Sequence, residues 1–187
     1  MNERKIVPGR EIHVSNESFQ QALVEMYQGE IFGEVLFDKM LTFFESPHEK
    51  YKIAVMLQLE TETKARLRPA LMQLGIDVAE SEESRRIGLE TATNLEGKNW
   101  SDTMYSLGEL VEPYIDRYGH IAAEAPAEFR PLAEAMVKHE QLLLDFLQCE
   151  VSGSGSHALD RIIDQLEHKP PSLSFFSGLH FQSVNDT

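Results

Sequence analysis

Residues 57–71 read LQLETETKARLRPAL, and this stretch combines the apolar spacing of a helix with charge at positions that should be buried. Leu67 and Leu71 lie on one face when the chain is wound at about 3.6 residues per turn. The same face carries Glu60 and Lys64, one turn apart. The stretch therefore predicts a long amphipathic helix that brings charged side chains into the protein interior.

Three further segments show the same three- and four-residue apolar spacing, so the sequence predicts four long helices. Their predicted bounds are 18–46, 47–75, 101–123 and 127–151. Short breaks separate the first helix from the second and the third from the fourth, so each pair is expected to form a hairpin. The polar connection 76–100 is much longer; it is expected to contain a short helix and to run along the outside.

Two hairpins joined by one long crossover predict an all-α four-helix bundle with the topology of ferritin-like proteins. The bundle is expected to comprise residues 18–151, after an N-terminal arm at 1–17. Residues 152–187 are expected to form a linker, a short helix and a tail. The apolar stretch SLSFFSGLHF at 172–181 is expected to dock on the bundle or on the second subunit of a homodimer.

Composition and charge exclude several classes of function. The chain has 17 basic and 31 acidic residues and no basic cluster, so nucleic acid is not an expected partner. No apolar run approaches the roughly 20 residues that span a bilayer, and the start of the chain lacks an export signal, so we expect a cytoplasmic protein without a membrane partner. Motifs for nucleotide binding, serine hydrolysis and zinc proteolysis are absent from the sequence.

Each predicted long helix carries an acidic residue close to its midpoint. Three helices place it on the apolar stripe, at Glu30 or Glu34, at Glu60 and at Glu140, whereas Glu112 lies beside the stripe of its helix. Helices of similar length that pack side by side bring these midpoints to one level, within about one helical turn. The alternative is that Glu30 or Glu34, and Glu112, simply face solvent.

Several ionised carboxylates in one core need compensating charge, because burying each of them costs several kcal/mol. A pair of metal ions would compensate, since facing helices of bundle proteins hold paired iron or manganese with carboxylates. Lys64, one turn from Glu60, is the alternative source of positive charge. Glu62, roughly 200° around the helix from Glu60, is expected to face outward and to contribute little.

Three segments of the chain resemble helices of the ferritin-like superfamily, which includes rubrerythrin-type and hydroxylase-type di-iron proteins. They are YQGEIFGEVLFDKML at 27–41, LQLETETKARLRPAL at 57–71 and VKHEQLLLDFL at 137–147. The resemblance covers roughly residues 18–151. It implies a metal site made of a glutamate on two helices and a Glu-x-x-His motif on the other two.

Carried over position by position, the resemblance assigns most of the ligand set to residues of this chain. The assigned positions are Glu34 with Glu30 as its alternative, Glu60 with Thr63, Glu112, and Glu140 with Leu143. Both histidines of the motif are therefore missing. His139, next to Glu140, is the candidate for a replacement ligand or a group that supports the ligands, although neighbouring positions differ by about 100° around a helix.

The resemblance implies an oxidoreductase in which two iron or manganese ions activate oxygen or peroxide against a small organic substrate. One alternative is a metal-free ferritin-like bundle that acts as a binding or interaction module, with Lys64 neutralising the core carboxylates. A further alternative is a ligand-binding bundle of the heme-oxygenase-like type. The proximal histidine which that type requires has no equivalent, because His13 precedes the first predicted helix.

Overall fold

A computed structural model describes residues 16–154 and 157–171, with side chains from Phe19 onward, and this part of the chain is all-helical, as predicted. The six helices are α1 Asn16–Met40, α2 Pro47–Gln73, α3 Glu82–Leu95, α4 Trp100–Glu124, α5 Arg130–Ser152 and α6 His157–Ile163. Across the described ranges, none of these helices combines the length and the apolar character needed to cross a membrane.

Local sequence signals set several of the helix ends. The side chain of Ser46 accepts a hydrogen bond from a backbone N–H in the first turn of α2, and Pro47 occupies a position that needs no N–H donor. Asn99 caps α4 in the same way. Gly153 ends α5 in the left-handed conformation, with φ 66°. The first helix ends at Met40, before the predicted residue 46, because the chain turns directly after it.

Two apolar clusters fill the bundle, one on each side of a polar layer. The first cluster joins the beginning of α1 to the end of α2, the end of α4 and the beginning of α5. The second cluster joins the end of α1 to the beginning of α2, the beginning of α4 and the end of α5. Helices α1 and α5 therefore run in one direction, and α2 and α4 run in the other.

The connection between α2 and α4 must cross the length of the bundle, since these two helices point the same way. It comprises residues 74–99 and contains α3, which packs on α1. A Cβ on Gly88 would lie 2.7 Å from the Phe32 carbonyl oxygen, so a glycine is needed for this close approach. Tyr27 holds the start of the connection by donating a hydrogen bond of 2.8 Å to the Val78 carbonyl.

The segment after α5 folds back onto α2. Helix α6 packs on α5 and α2, and the Glu62 carboxylate accepts hydrogen bonds from the backbone N–H groups of Glu167 at 2.6 Å and His168 at 3.1 Å. Tyr51 donates a hydrogen bond of 3.0 Å to the carbonyl of Pro171. Glu62, expected to be a solvated helix charge, thus anchors this segment. The predicted docking of residues 172–181 lies outside the described residues.

Candidate metal centre

The polar layer between the two apolar clusters consists of Glu30, Glu60, Thr63, His139 and Glu140. Each of these five residues is between 2% and 8% exposed, so the whole layer is buried. Helix α1 supplies one member, and α2 and α5 supply two each. Three helices therefore bring three carboxyl groups and one imidazole to the same level of the core.

The imidazole of His139 stands between two of these carboxyl groups. Its Nε2 lies 3.5 Å from Oε1 of Glu60 and 3.7 Å from Oε1 of Glu30. One ligand atom from each of the three side chains lies within 4.8 Å of the other two. On the far side of the ring, Nδ1 lies 3.2 Å from the hydroxyl of Thr63. When Nδ1–H donates to that hydroxyl, the lone pair of Nε2 faces the carboxylates.

Glu30 is the least satisfied member of the layer. Its Oε2 atom is buried and has no hydrogen-bond partner among the described residues. Burial raises the pKa of Glu30 well above its ordinary value of 4.5; His139 opposes this change, whereas the neighbouring carboxylates of Glu60 and Glu140 reinforce it. A buried acceptor without a donor is rare in native proteins, and either a bound cation or a proton on this carboxyl group would compensate for it.

The pKa values of Glu140 and His139 are also shifted, because both groups are buried beside other titratable side chains. Burial raises the pKa of Glu140 to about 7, although the nearby His139 lowers it. Burial alone would lower the pKa of His139, but the attraction of Glu30 and Glu60 raises it to about 10. In the protein without a metal ion, His139 is therefore the positive charge of the layer at neutral pH.

One glycine on α1, Gly33, makes room for a carboxyl group of the layer. A Cβ on Gly33 would lie 2.6 Å from the carboxyl carbon of Glu60, closer than real Cβ contacts come. At Gly29, by contrast, a Cβ would lie 3.4 Å from the hydroxyl oxygen of Tyr118, which is an ordinary contact distance. The sequence GEIFGE at 29–34 thus places each glycine directly before a glutamate, and the first of these glutamates enters the layer.

A cavity of about 390 Å³ lies against the layer, between α1, α3 and α4. Glu30, Glu60, His139 and Glu140 all line it, while most of the remaining lining is apolar. Helix α3 packs on α1 beside this cavity, whereas α4 packs mainly on α5. The layer is therefore open to a small molecule and not sealed within the core.

The structure separates the candidate ligands into two groups. Glu30, Glu60, His139 and Glu140 lie together in the layer. Glu34, which the motif assignment placed ahead of Glu30, lies outside it: its carboxylate forms an ion pair with Lys64 and accepts a hydrogen bond of 2.8 Å from Thr61.

Glu112 is also outside the layer, because it lies on the exposed side of α4. The apolar stripe of that helix passes through Leu107 and Tyr118, and position 112 is turned away from it. Helix α4 therefore contributes no acid to the buried layer at the predicted position, and its wall of the cavity is apolar apart from tyrosine hydroxyls.

Lys64 is buried but does not neutralise Glu60. Its ammonium group contacts the carboxylates of Glu34 and, at 2.8 Å, Glu80. Burial lowers the pKa of Lys64, but these two carboxylates raise it by more. Glu80 also meets Arg85 at 3.1 Å, and its position in the long connection gave no sequence signal for this role. Lys64 therefore neutralises Glu34, one of the candidate core carboxylates, whereas His139 is the basic group that lies beside Glu60.

No protein-family model, curated protein or solved structure matches this chain.

Proposed function

We propose that this protein is a ferritin-like metalloprotein in which Glu30, Glu60, Glu140 and His139 hold iron or manganese. The observation that carries the proposal is the buried layer itself, where three carboxyl groups meet one imidazole and the Oε2 atom of Glu30 has no partner among the described residues. Such a layer needs a cation, because uncompensated buried carboxylates cost several kcal/mol each.

The donor set fits a divalent metal ion of this kind. Ligand atoms that share one ion at about 2.1 Å lie about 3–4 Å apart, and Nε2 of His139 is 3.5 Å from Glu60 and 3.7 Å from Glu30. Carboxylate oxygens with one imidazole nitrogen suit iron or manganese, whereas structural zinc favours thiolates and several histidines. The only cysteine, Cys149, does not belong to the layer.

The topology supports the ferritin-like assignment. That fold has a one-crossover arrangement, in which two helical hairpins are joined by a connection that crosses the bundle. Helices α2 and α4 run in the same direction here, so the connection between them is of this kind. In such proteins the bound metal supplies the activation of oxygen or peroxide. The protein chain orients the imidazole through Thr63, excludes water with the two apolar clusters, and holds a substrate in the adjoining cavity.

The number of ions follows from how the ligands are shared. Glu30, Glu60 and His139 account for one ion. A second ion needs Glu140, whose carboxyl group lines the cavity beside this triad. With Glu34 and Glu112 outside the layer, we propose one strongly held ion, and we propose that any second ion depends on Glu140 alone.

A metal-free binding protein is the second candidate, and one observation favours it. His139 as an imidazolium ion already places one positive charge between Glu30 and Glu60. In that protein Glu30 would stay protonated, and the cavity would serve for ligand binding alone.

Metal analysis separates the two candidates. Protein purified without chelator, and protein reconstituted with Fe²⁺ under anaerobic conditions or with Mn²⁺, should contain at least one ion per chain. Glu60→Gln should lose that ion, since it removes a charged ligand, and Glu112→Gln is the matched control because its side chain is exposed. Metal well below one ion per chain after both reconstitutions would overturn the metalloprotein and favour the metal-free protein.

A further inference from the structure

The cavity is elongated along the helices that form it. On α4 its lining extends from Leu107 to Tyr118, and on α1 it extends from Glu25 to Phe37. At a rise of about 1.5 Å per residue, these spans correspond to about 16 and 18 Å. The cavity is thus a channel parallel to α1, and Glu30 faces it between the two ends.

Charge along the channel is mostly negative. Glu25, Glu30, Glu60 and Glu140 line it, and among the lining residues there is neither lysine nor arginine. The imidazole of His139 also lines it, but this group already lies between Glu30 and Glu60. Arg117 pairs with Glu25 but is largely exposed and does not line the channel. A carboxylate or phosphate on a ligand would therefore meet acidic neighbours, and it would have to compete with Glu30 and Glu60 for the imidazole of His139.

The channel has an apolar mouth. Ile87 on α3 and Leu110 and Tyr114 on α4 all line the channel, and each is about two-fifths exposed. Apolar side chains of this size are seldom grouped on the surface without a ligand or partner. Their position between α3 and α4 marks the entrance through which an apolar molecule reaches Glu30 and Glu140.

We infer that this channel binds an uncharged, elongated apolar molecule, such as a hydrocarbon chain with at most a neutral polar end. The inference deepens the proposed function, since it names the substrate class of the same site. It rests on three features: the length of the channel, the absence of lysine and arginine from its described lining, and the exposed apolar entrance. The channel volume of about 390 Å³ lies within the range that small-molecule sites occupy.

Two probes with the same carbon chain test the inference. Binding of 1-octanol and of octanoate is measured by titration calorimetry, with the protein as purified and again after metal loading. Octanol should bind, and octanoate should bind at least tenfold more weakly to the protein as purified. Equal affinity for the two probes, or no binding of octanol, would overturn the inference.

A variant pair locates the binding. Val111→Phe places a larger side chain in the channel wall and should weaken octanol binding at least tenfold. Ile115→Phe, one turn further along α4 and not part of the lining, is the matched control and should leave the affinity unchanged. Equal effects of the two substitutions would overturn the inference. If Val111→Phe does not fold, the comparison of octanol and octanoate binding to the wild type still tests the inference.

Metal content distinguishes the failure of this inference from the failure of the proposed function. Octanol binding by a protein that takes up no metal would support the channel and overturn the metalloprotein. Metal uptake without octanol binding would overturn the channel alone.

Discussion

The Thr63 hydroxyl lies 3.2 Å from Nδ1 of His139, so the side chain three positions after Glu60 supports an imidazole that comes from a different helix. In the Glu-x-x-His pattern that position would itself carry the histidine. A threonine is smaller, and it leaves the interior space that the ring of His139 occupies. The imidazole thus reaches Glu30 and Glu60 from α5.

Removing the Thr63 hydroxyl should weaken metal binding without removing a ligand. Thr63→Val keeps the shape of the side chain but leaves Nδ1 of His139 without its partner, and groups that orient a metal-bound histidine are worth about 10–100-fold in affinity. Competition with a chelator of known affinity measures the loss. Thr63→Ser restores the hydroxyl and should recover most of the affinity. An unchanged affinity in Thr63→Val would show that His139 is not a ligand.

Gly33→Ala should damage the site although alanine favours helices. Its Cβ would lie 2.6 Å from the carboxyl carbon of Glu60, so the carboxylate must move out of the layer. We expect a loss of metal affinity and little or no gain in stability. Gly119→Ala is the control, because nothing lies within 4 Å of a Cβ there, and it should stabilise the protein by about 0.5–1 kcal/mol. Urea denaturation and metal titration of both variants check this; equal metal affinity in the two would contradict it.

The sequence predicts the helices well because their apolar residues are regularly spaced, and it predicts the level at which Glu60 and Glu140 enter the core. It does not choose between Glu30 and Glu34, which lie one turn apart on the same stripe. The choice depends on a long-range contact: Lys64 pairs with Glu34 from across the helix interface. The two glycines of GEIFGE are a local signal for close helix packing, but they do not show which of the two glutamates enters the core.

His139 and Glu112 show the limit of a single-stripe description. Helix α5 is buried over a wide arc, since Leu142, Leu143 and Leu144 are all buried, so adjacent residues 139 and 140 both face the interior. Helix α4 is buried over a narrower arc because it packs mainly on α5, and Glu112 faces solvent. The width of each buried arc depends on how the helices pack, which the spacing of one helix does not contain.

Glu62→Ala should destabilise the protein by about 1 kcal/mol, because it removes the acceptor for the N–H groups of Glu167 and His168. Partial burial raises the pKa of Glu62, but hydrogen bonds from Gln58 and these N–H groups lower it by more. The contribution of Glu62 is therefore present above its ordinary pKa of 4.5 and is lost as the pH falls through its lower folded value.

Thermal melts between pH 3 and pH 7 measure this contribution. The difference in stability between wild type and Glu62→Ala should shrink as the pH falls below about 4.5, whereas the exposed Glu112→Ala should match the wild type throughout. A difference that stays constant with pH would show that the carboxylate charge has no part in holding residues 167–168.

Lys64→Met should lower stability and leave metal content unchanged. It removes the cation that Glu34 and Glu80 share, and because both carboxylates are partly exposed we expect a loss of about 1–3 kcal/mol. Urea denaturation and elemental analysis of one preparation give both quantities. The double variant Glu34→Gln, Lys64→Met should recover part of the loss, since one unpaired charge is gone. Loss of metal at unchanged stability would show that Lys64 belongs to the metal site.

The pH dependence of stability should change sign when metal is bound. In the metal-free protein His139 has a pKa raised above 6.5 to about 10, so its stabilising effect is complete below pH 6.5 and is lost as the pH rises through about 10. The raised pKa of Glu140, about 7, acts in the same direction, because ionising this buried group destabilises the fold as the pH rises from 4.5 through 7. The metal-free protein should therefore become less stable as the pH rises from about 5 to 10.

Metal binding requires a deprotonated imidazole and carboxylate, so the affinity for Mn²⁺ should rise over the same range. Thermal melts of chelator-treated and Mn²⁺-loaded protein at matched pH values measure both trends. The stabilisation by Mn²⁺ should grow with pH, and His139→Gln should reduce both slopes. A metal-free protein whose stability is flat from pH 5 to pH 10 would show that His139 is not held as a cation between Glu30 and Glu60.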